Sequence, residues 1–151
     1  MRLEEAIQQP TFRSSHERAQ INVVYTASFF NQMATRILRP LGISMQQFNL
    51  LRILRGMRGE PATIKLLTER MLDKMSNASR LVEKLKQKGL VTRRACSNDR
   101  RQVDIFITDD GLRIISQATE AMDELMSEYY AHLEPEEADA LSLLLDKFRG
   151  K

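Results

Sequence analysis

The chain is expected to fold as a mainly helical protein with one small β-hairpin, and three observations lead there. Apolar residues recur at helical spacing through most of its 151 residues. Only between Leu90 and Ile107 does the period change, to short runs rich in β-branched residues. Just before that change stand two short helical segments across a tight bend, the order of a helix-turn-helix that runs on into a hairpin. At this length a single domain of two lobes is the expectation for residues 1–151.

The elements follow in order. The first dozen residues, MRLEEAIQQPTF, have no period beyond a short helix before Pro10 and read as an arm. Ser14 and Glu17 have the spacing of a capping box, in which hydroxyl and carboxylate satisfy each other's free N–H groups, and a long helix starts there. Its apolar residues, among them Ile21, Val24, Tyr25, Phe29, Phe30, Met33 and Leu38, point in nearly every direction at about 100° per residue. Such a helix must be covered on more than one side. A chain this small has little other material for that, so a second copy is the simplest cover and an obligate homodimer is expected. Pro40 and Gly42 end the helix, Ser44 caps the next, and Met45 to Leu54 form a short helix closed by Gly56. Thr63 caps another, with Ile64, Leu66, Leu67 and Met71 as its apolar positions up to the bend at Leu72 and Asp73.

From Asp73, taken as an N-cap, a basic helix is expected. Ala78, Leu81, Val82 and Leu85 form its one-sided apolar stripe, and Gly89 sits where a left-handed C-terminal cap belongs. The strands are Leu90 to Arg94 and Gln102 to Ile107, joined by the turn-rich Cys96 to Asp99. Thr108 caps a long helix with Asp109 and Asp110 against its positive end. Along that helix Leu112, Ile115, Thr119, Met122, Met126, Tyr129 and Leu133 recur at alternating spacings of three and four. Pro135 suits a first helical position, and the last helix places Ala138, Leu141, Leu144, Leu145 and Phe148 on one side.

Charge gives the first functional indication. Between Arg80 and Arg101 eight basic residues stand against two acidic ones, a local net charge of +6 in a chain whose total is +3. From Asp109 to Asp139 ten acidic residues face Arg113 alone. Positive charge gathered on one surface is what phosphate neutralisation on duplex DNA requires, whereas a nonspecifically sticky cation would carry its charge throughout. The face of the basic helix opposite its stripe carries Ser76, Arg80, Glu83 and Gln87, with Asn77, Ser79 and Lys84 on its flanks, groups that bond base edges and phosphates. Glu83 reads best as a restraint on Arg80 at i,i+3.

The residues Arg80-Leu81-Val82-Glu83-Lys84-Leu85, Lys88-Gly89-Leu90-Val91, Asp99-Arg100-Arg101 and Ile107-Thr108-Asp109-Asp110-Gly111, in this order of elements, resemble the MarR family of bacterial transcriptional regulators. The resemblance covers the chain from about Ser14 to Phe148. It implies a winged helix-turn-helix in each subunit of a homodimer, held together by the terminal helices, acting as a repressor on a pseudo-palindromic operator. The DNA-binding lobe would be 43–108, and 14–41 with 109–150 would form the helical dimerisation lobe. Ser76, Asn77, Ser79, Arg80 and Lys84 would meet the DNA from the recognition helix. Arg94, Asp99, Arg100 and Arg101 would do so from the wing, with Asp99 orienting Arg101 toward the minor groove. The family's small aromatic effectors bind between the lobes, where Tyr25, Phe29 and Phe48 are the candidate lining. Double-stranded DNA and a second copy are thus the expected partners, with no cofactor.

Other readings are weaker. No nucleophile elbow, phosphate-binding glycine loop or metal-ligand spacing is present, so an enzyme is not expected. His16 and His132 read as solvated or core residues, and Met33, Met71, Met75, Met122 and Met126 as adaptable packing. Cys96 lies beside Arg93 and Arg94, but the family's redox-sensing cysteine belongs near the N-terminal helix, where this chain has none. No apolar run approaches bilayer length and no hydrophobic signal region opens the chain, so a cytoplasmic protein is expected. The rival from another class is a winged helix that serves as a protein-interaction module.

Overall fold

The computed structural model describes residues 1–95 and 103–150, so Cys96, Asp99, Arg100 and Arg101 lie outside the described residues. The order of elements is α1 (Leu3–Ala6), α2 (Ser15–Leu38), α3 (Met45–Gly56), α4 (Ile64–Arg70), α5 (Ala78–Gln87), β1 (Val91–Ala95), β2 (Val103–Ile107), α6 (Asp109–Tyr130) and α7 (Pro135–Phe148). Mainly helical with one antiparallel hairpin, this is the predicted fold class. Among the described residues no helix is long and apolar enough to cross a membrane.

Helix α3 is the hub. It packs against α2, α4, α5, α6 and β2, and Phe48, Leu50, Leu51, Ile53 and Leu54 along it are buried. Around them close Leu38, Ile43, Leu67, Met71, Val82, Leu85, Val91, Ile105, Ile115 and Ala118. Buried side chains of this size each stabilise the fold by roughly 1.5–3 kcal/mol relative to exposure. The core is therefore built around the helix-turn-helix, with one end of α2 and the first half of α6 laid over it.

Local signals set most boundaries. Ser44 and Gln47 form a complete capping box, with the Gln47 N–H on Ser44 Oγ at 3.2 Å and the Ser44 N–H on Gln47 Oε1 at 3.1 Å. The box expected at Ser14 is only half made. Ser14 Oγ accepts from the Glu17 N–H at 3.1 Å, but the Glu17 carboxylate reaches one residue further back to the Arg13 N–H at 2.7 Å and to its guanidinium. Those two bonds hold the Glu17 carboxyl below the usual carboxylate range. Helix α3 runs on to Gly56, where Leu54 was the expected end, and the chain reverses at Arg58 and Gly59, both at positive φ.

The arm contains the expected short helix, and the Arg18 guanidinium holds Glu4 at 2.8 Å. Helix α7 differs from a core helix. None of its residues is buried in the single chain, with Leu141, Leu144 and Phe148 at 46, 64 and 51% exposure, and Leu143 at 70% outside the stripe read from the sequence. Val24 on α2 is 64% exposed as well. Of the seam expected along α6, Ile115 is buried and Leu112 exposed, and the helix ends at Tyr130, short of the exposed Leu133. The apolar surface left uncovered is thus concentrated on the terminal helices.

Candidate nucleic-acid interface

Helix α5 begins later than expected. Asp73 does not cap it. Its carboxylate instead accepts the Met75 N–H and the Ser76 hydroxyl, each at 3.0 Å, which closes a turn between α4 and α5. Asn77 is the N-cap, its Oδ1 accepting the Arg80 N–H at 3.0 Å. The two cap-type residues compete, and burial decides: with Met71 and Ala78 both in the core, the intervening six residues must cross between helices. Ser76 and Asn77 therefore have side-chain oxygens or hydroxyls engaged in local bonds, while both still stand at the start of the helix.

From that start the helix splits by face. Ala78, Val82 and Leu85 are buried and Leu81 half-buried, as the stripe predicted, while Ser79, Arg80 and Lys84 are exposed on the other side. Gly89 takes φ +72°, the left-handed cap that glycine adopts without a Cβ penalty. Glu83 does not restrain Arg80. Its carboxylate meets the Arg93 guanidinium at 3.2 Å and so ties α5 to β1.

The hairpin pairs Val91 with Ile107, Arg93 with Ile105 and Arg94 with Asp104. Side chains alternate between its faces, so Val91, Arg93, Ile105 and Ile107 look toward the helices while Thr92, Arg94, Asp104 and Phe106 look outward. Arg94 lies over the Phe106 ring at 5.1 Å, which fixes a cation on the outer face. A third piece of backbone joins this sheet: Ala62 and Ile105 exchange N–H to carbonyl bonds of 3.0 and 2.9 Å. The hairpin is thereby bound to the residue just ahead of the Thr63 cap of α4, a contact that sequence reading missed because a single bridge residue has no period.

At the other end of β2, Thr108 ties three elements together. Its hydroxyl donates to the Gly89 carbonyl at 2.7 Å and accepts the Gly111 N–H at 3.0 Å, and its N–H donates to Leu90 O at 3.1 Å. One threonine thus joins the end of the recognition helix, the start of the hairpin and the first turn of α6. Gly111 faces the same spot, where a Cβ would lie 2.2 Å from Leu90 O.

The candidate effector residues have different settings, Tyr25 half-buried and Phe29 exposed one turn apart on α2. Phe48 is a core residue of α3 at 4% exposure, with Arg52 over its ring at 5.9 Å. Phe29 instead joins an aromatic cluster with Phe30 and Tyr129 at ring separations of 5.4 and 5.7 Å, at the junction of α2 and α6. A hollow of about 890 Å³ lies elsewhere, between the C-terminal end of α2, the start of α3 and helix α5. Thr35, Arg39, Gln47, Asn49, Leu81 and Lys84 are among its lining. Among the described residues no group of three or more His, Cys, Asp or Glu is placed to hold a metal ion.

Residues 41–102 match the model of the MarR family. In fold the chain is similar to the organohalide-sensing transcriptional regulator RdhR in its 2,4-dichlorophenol-bound form, with a TM-score of 0.80 and 22% identity over 91% of this chain and 80% of that one. It is similar to wild-type MarR of E. coli in its apo form, at TM-score 0.65 and 25% identity over 83% of this chain and 91% of that one. A mutant of S. aureus MepR bound to an oligodeoxyribonucleotide matches at TM-score 0.58 and 21% identity, covering 87% of this chain and 96% of that one. The chain has the winged-helix fold of MarR-family transcriptional regulators, and the family's model matches it over residues 41–102.

Proposed function

We propose that the protein is a homodimeric, sequence-specific DNA-binding regulator, a repressor of a pseudo-palindromic operator that a small ligand releases. The observation that carries this reading is the division of α5: an apolar face sunk in the core and an exposed face bearing Ser79, Arg80 and Lys84, beside a hairpin that presents Arg94 outward. Arg80 reads a base edge, Lys84 and Arg94 neutralise phosphates, and Ser76 and Asn77 sit at the helix start nearest the groove. Asp99, Arg100 and Arg101 belong to the wing by sequence, Arg101 for the minor groove. Residues 43–108 form the DNA-binding lobe, and 14–41 with 109–150 the dimerisation lobe, for which the exposed Leu141, Leu144, Phe148 and Val24 supply the apolar surface.

Release by ligand is supported by the hollow beneath the recognition helix, whose volume falls in the range of small-molecule sites, roughly 300–1,000 Å³. RdhR was seen with 2,4-dichlorophenol and MepR with an oligodeoxyribonucleotide, which makes an aromatic ligand and duplex DNA the partners to try first.

The test is titration of purified protein against duplexes selected from a random pool and against a scrambled control, over a salt series. Selective binding with a steep negative slope of log K on log salt is expected. Salt-dependent binding that prefers no sequence, or binding only to acidic proteins, would favour the interaction-module reading instead.

A further inference from the structure

Lys88 is one of the eight basic residues between Arg80 and Arg101, yet its ammonium is engaged within the chain. Placed at the C-cap of α5, it donates to the Gly42 carbonyl and, at 3.1 Å, to Gln47 Oε1. Gly42 lies in the connection that leaves α2, and Gln47 is in the first turn of α3. The opposite end of the recognition helix has its own tether. Asn49 Oδ1 accepts the Leu72 N–H at 2.9 Å, in the turn that Asp73 closes.

Gln47 and Asn49, at 4 and 8% exposure, are the buried polar residues among the described ones. An amide taken out of water without a partner costs stability, so a buried pair with both oxygens engaged across elements is a fixed contact and not a surface accident. Both line the hollow that separates the recognition helix from α2, as does Lys88 itself.

We infer that Lys88 is a positioning residue: bonded to Gly42 and Gln47, it locks the C-terminal end of the recognition helix to the corner where the dimerisation helix ends, while Asn49 locks the N-terminal end. Its charge serves this clamp and neutralises no phosphate. The inference rests on the DNA-binding reading above, and it explains how the orientation of α2 reaches the recognition helix through two side chains.

The experiment compares wild type, Lys88→Met, Gln47→Met and the double variant on the selected duplex and on the scrambled one, each over a salt series. Lys88→Met is expected to weaken the selected duplex by about tenfold, a typical magnitude for coupling residues, and to leave the scrambled duplex unchanged. The salt slope stays at the wild-type value, and the double variant loses less than the sum of the singles, because the two residues share one contact while Lys88 also holds Gly42 and Gln47 also holds the Ser44 N–H. Gln47→Glu, which keeps an oxygen acceptor for Lys88 and the Ser44 N–H, is expected to retain wild-type preference where Gln47→Met loses it; that contrast tests the clamp should Lys88→Met fail to fold.

A slope shallower by about 0.9 with equal loss on both duplexes would make Lys88 a phosphate contact and overturn the inference. Additive losses, or no loss at all, would overturn it too. Wild-type protein that prefers no duplex would remove the DNA-binding reading itself, and the clamp with it, a result separable from any loss confined to the variants.

Discussion

Replacing Gly111 by alanine puts the junction of recognition helix, hairpin and α6 under direct stress. The glycine does not stand there for its backbone freedom, since its φ is not among the positive ones. It stands there for space: an added Cβ would lie 2.2 Å from Leu90 O and 2.7 Å from Ile107 Cγ1, and the first of these is backbone that no rotamer change can move. Overpacking of this kind costs about 1–3 kcal/mol. Separation of α6 from Leu90 would also strain the Thr108 N–H bond to Leu90 O, worth about 1 kcal/mol. Alanine's better helix propensity returns up to about 1 kcal/mol, so a net loss near 2 kcal/mol is expected. For a chain of this length that is a fall in Tm of roughly 4–8 °C, to be read by calorimetry or denaturant unfolding at matched protomer concentration. A Gly111→Ala protein as stable as wild type, or more so, would refute the close approach on which the placement of the hairpin depends.

Further outcomes follow from the interface and the lobes. Arg80→Ala should cost on the order of 1–3 kcal/mol at the base pair it contacts and relax preference there, measured by competition among single-base operator variants. Arg101→Ala should weaken binding to all duplexes broadly; wild-type operator affinity for both arginine variants would sink the residue assignments. If the proposed dimer forms through α7, wild type should sediment as a dimer and Leu144→Asp, which places a carboxylate on the exposed apolar face of that helix, as a monomer; equal masses would refute that interface. Glu83→Ala breaks an ion pair whose side chains are 44 and 36% exposed, so stability should change by less than about 1 kcal/mol, with a larger loss marking the pair as structural.

What could be read from residues alone was what depends on near neighbours in the chain. Gly89 at the end of the recognition helix, Thr63 and Thr108 as caps, and the faces of α5 all follow from spacings of a few residues, and all stand as expected. The start of that helix was misplaced because Asp73 and Asn77 are both good caps, and only the burial of Met71 and Ala78 separates them. Residues far apart in sequence gave no local signal: Asn49 meets Leu72 across 23 positions and Lys88 meets Gly42 across 46. Lys88 was counted with the DNA-facing charge for that reason. Phe48, a candidate pocket residue through the resemblance to the family, is a buried residue of the hub helix α3. The wide apolar spread of α2 was legible, and its exposure along with that of α7 is the physical basis for expecting a second copy.

The central claim is that two recognition helices, one from each copy, read two half-sites on one face of the duplex. Affinity measured for a series of duplexes in which the spacing between selected half-sites is varied one base pair at a time tests it most directly. Tight binding is expected at a centre-to-centre distance of about 10 bp, with a loss of well over tenfold when about 5 bp are inserted and one half-site turns to the opposite face. Equal affinity at every spacing, or full affinity for a single half-site, would contradict it.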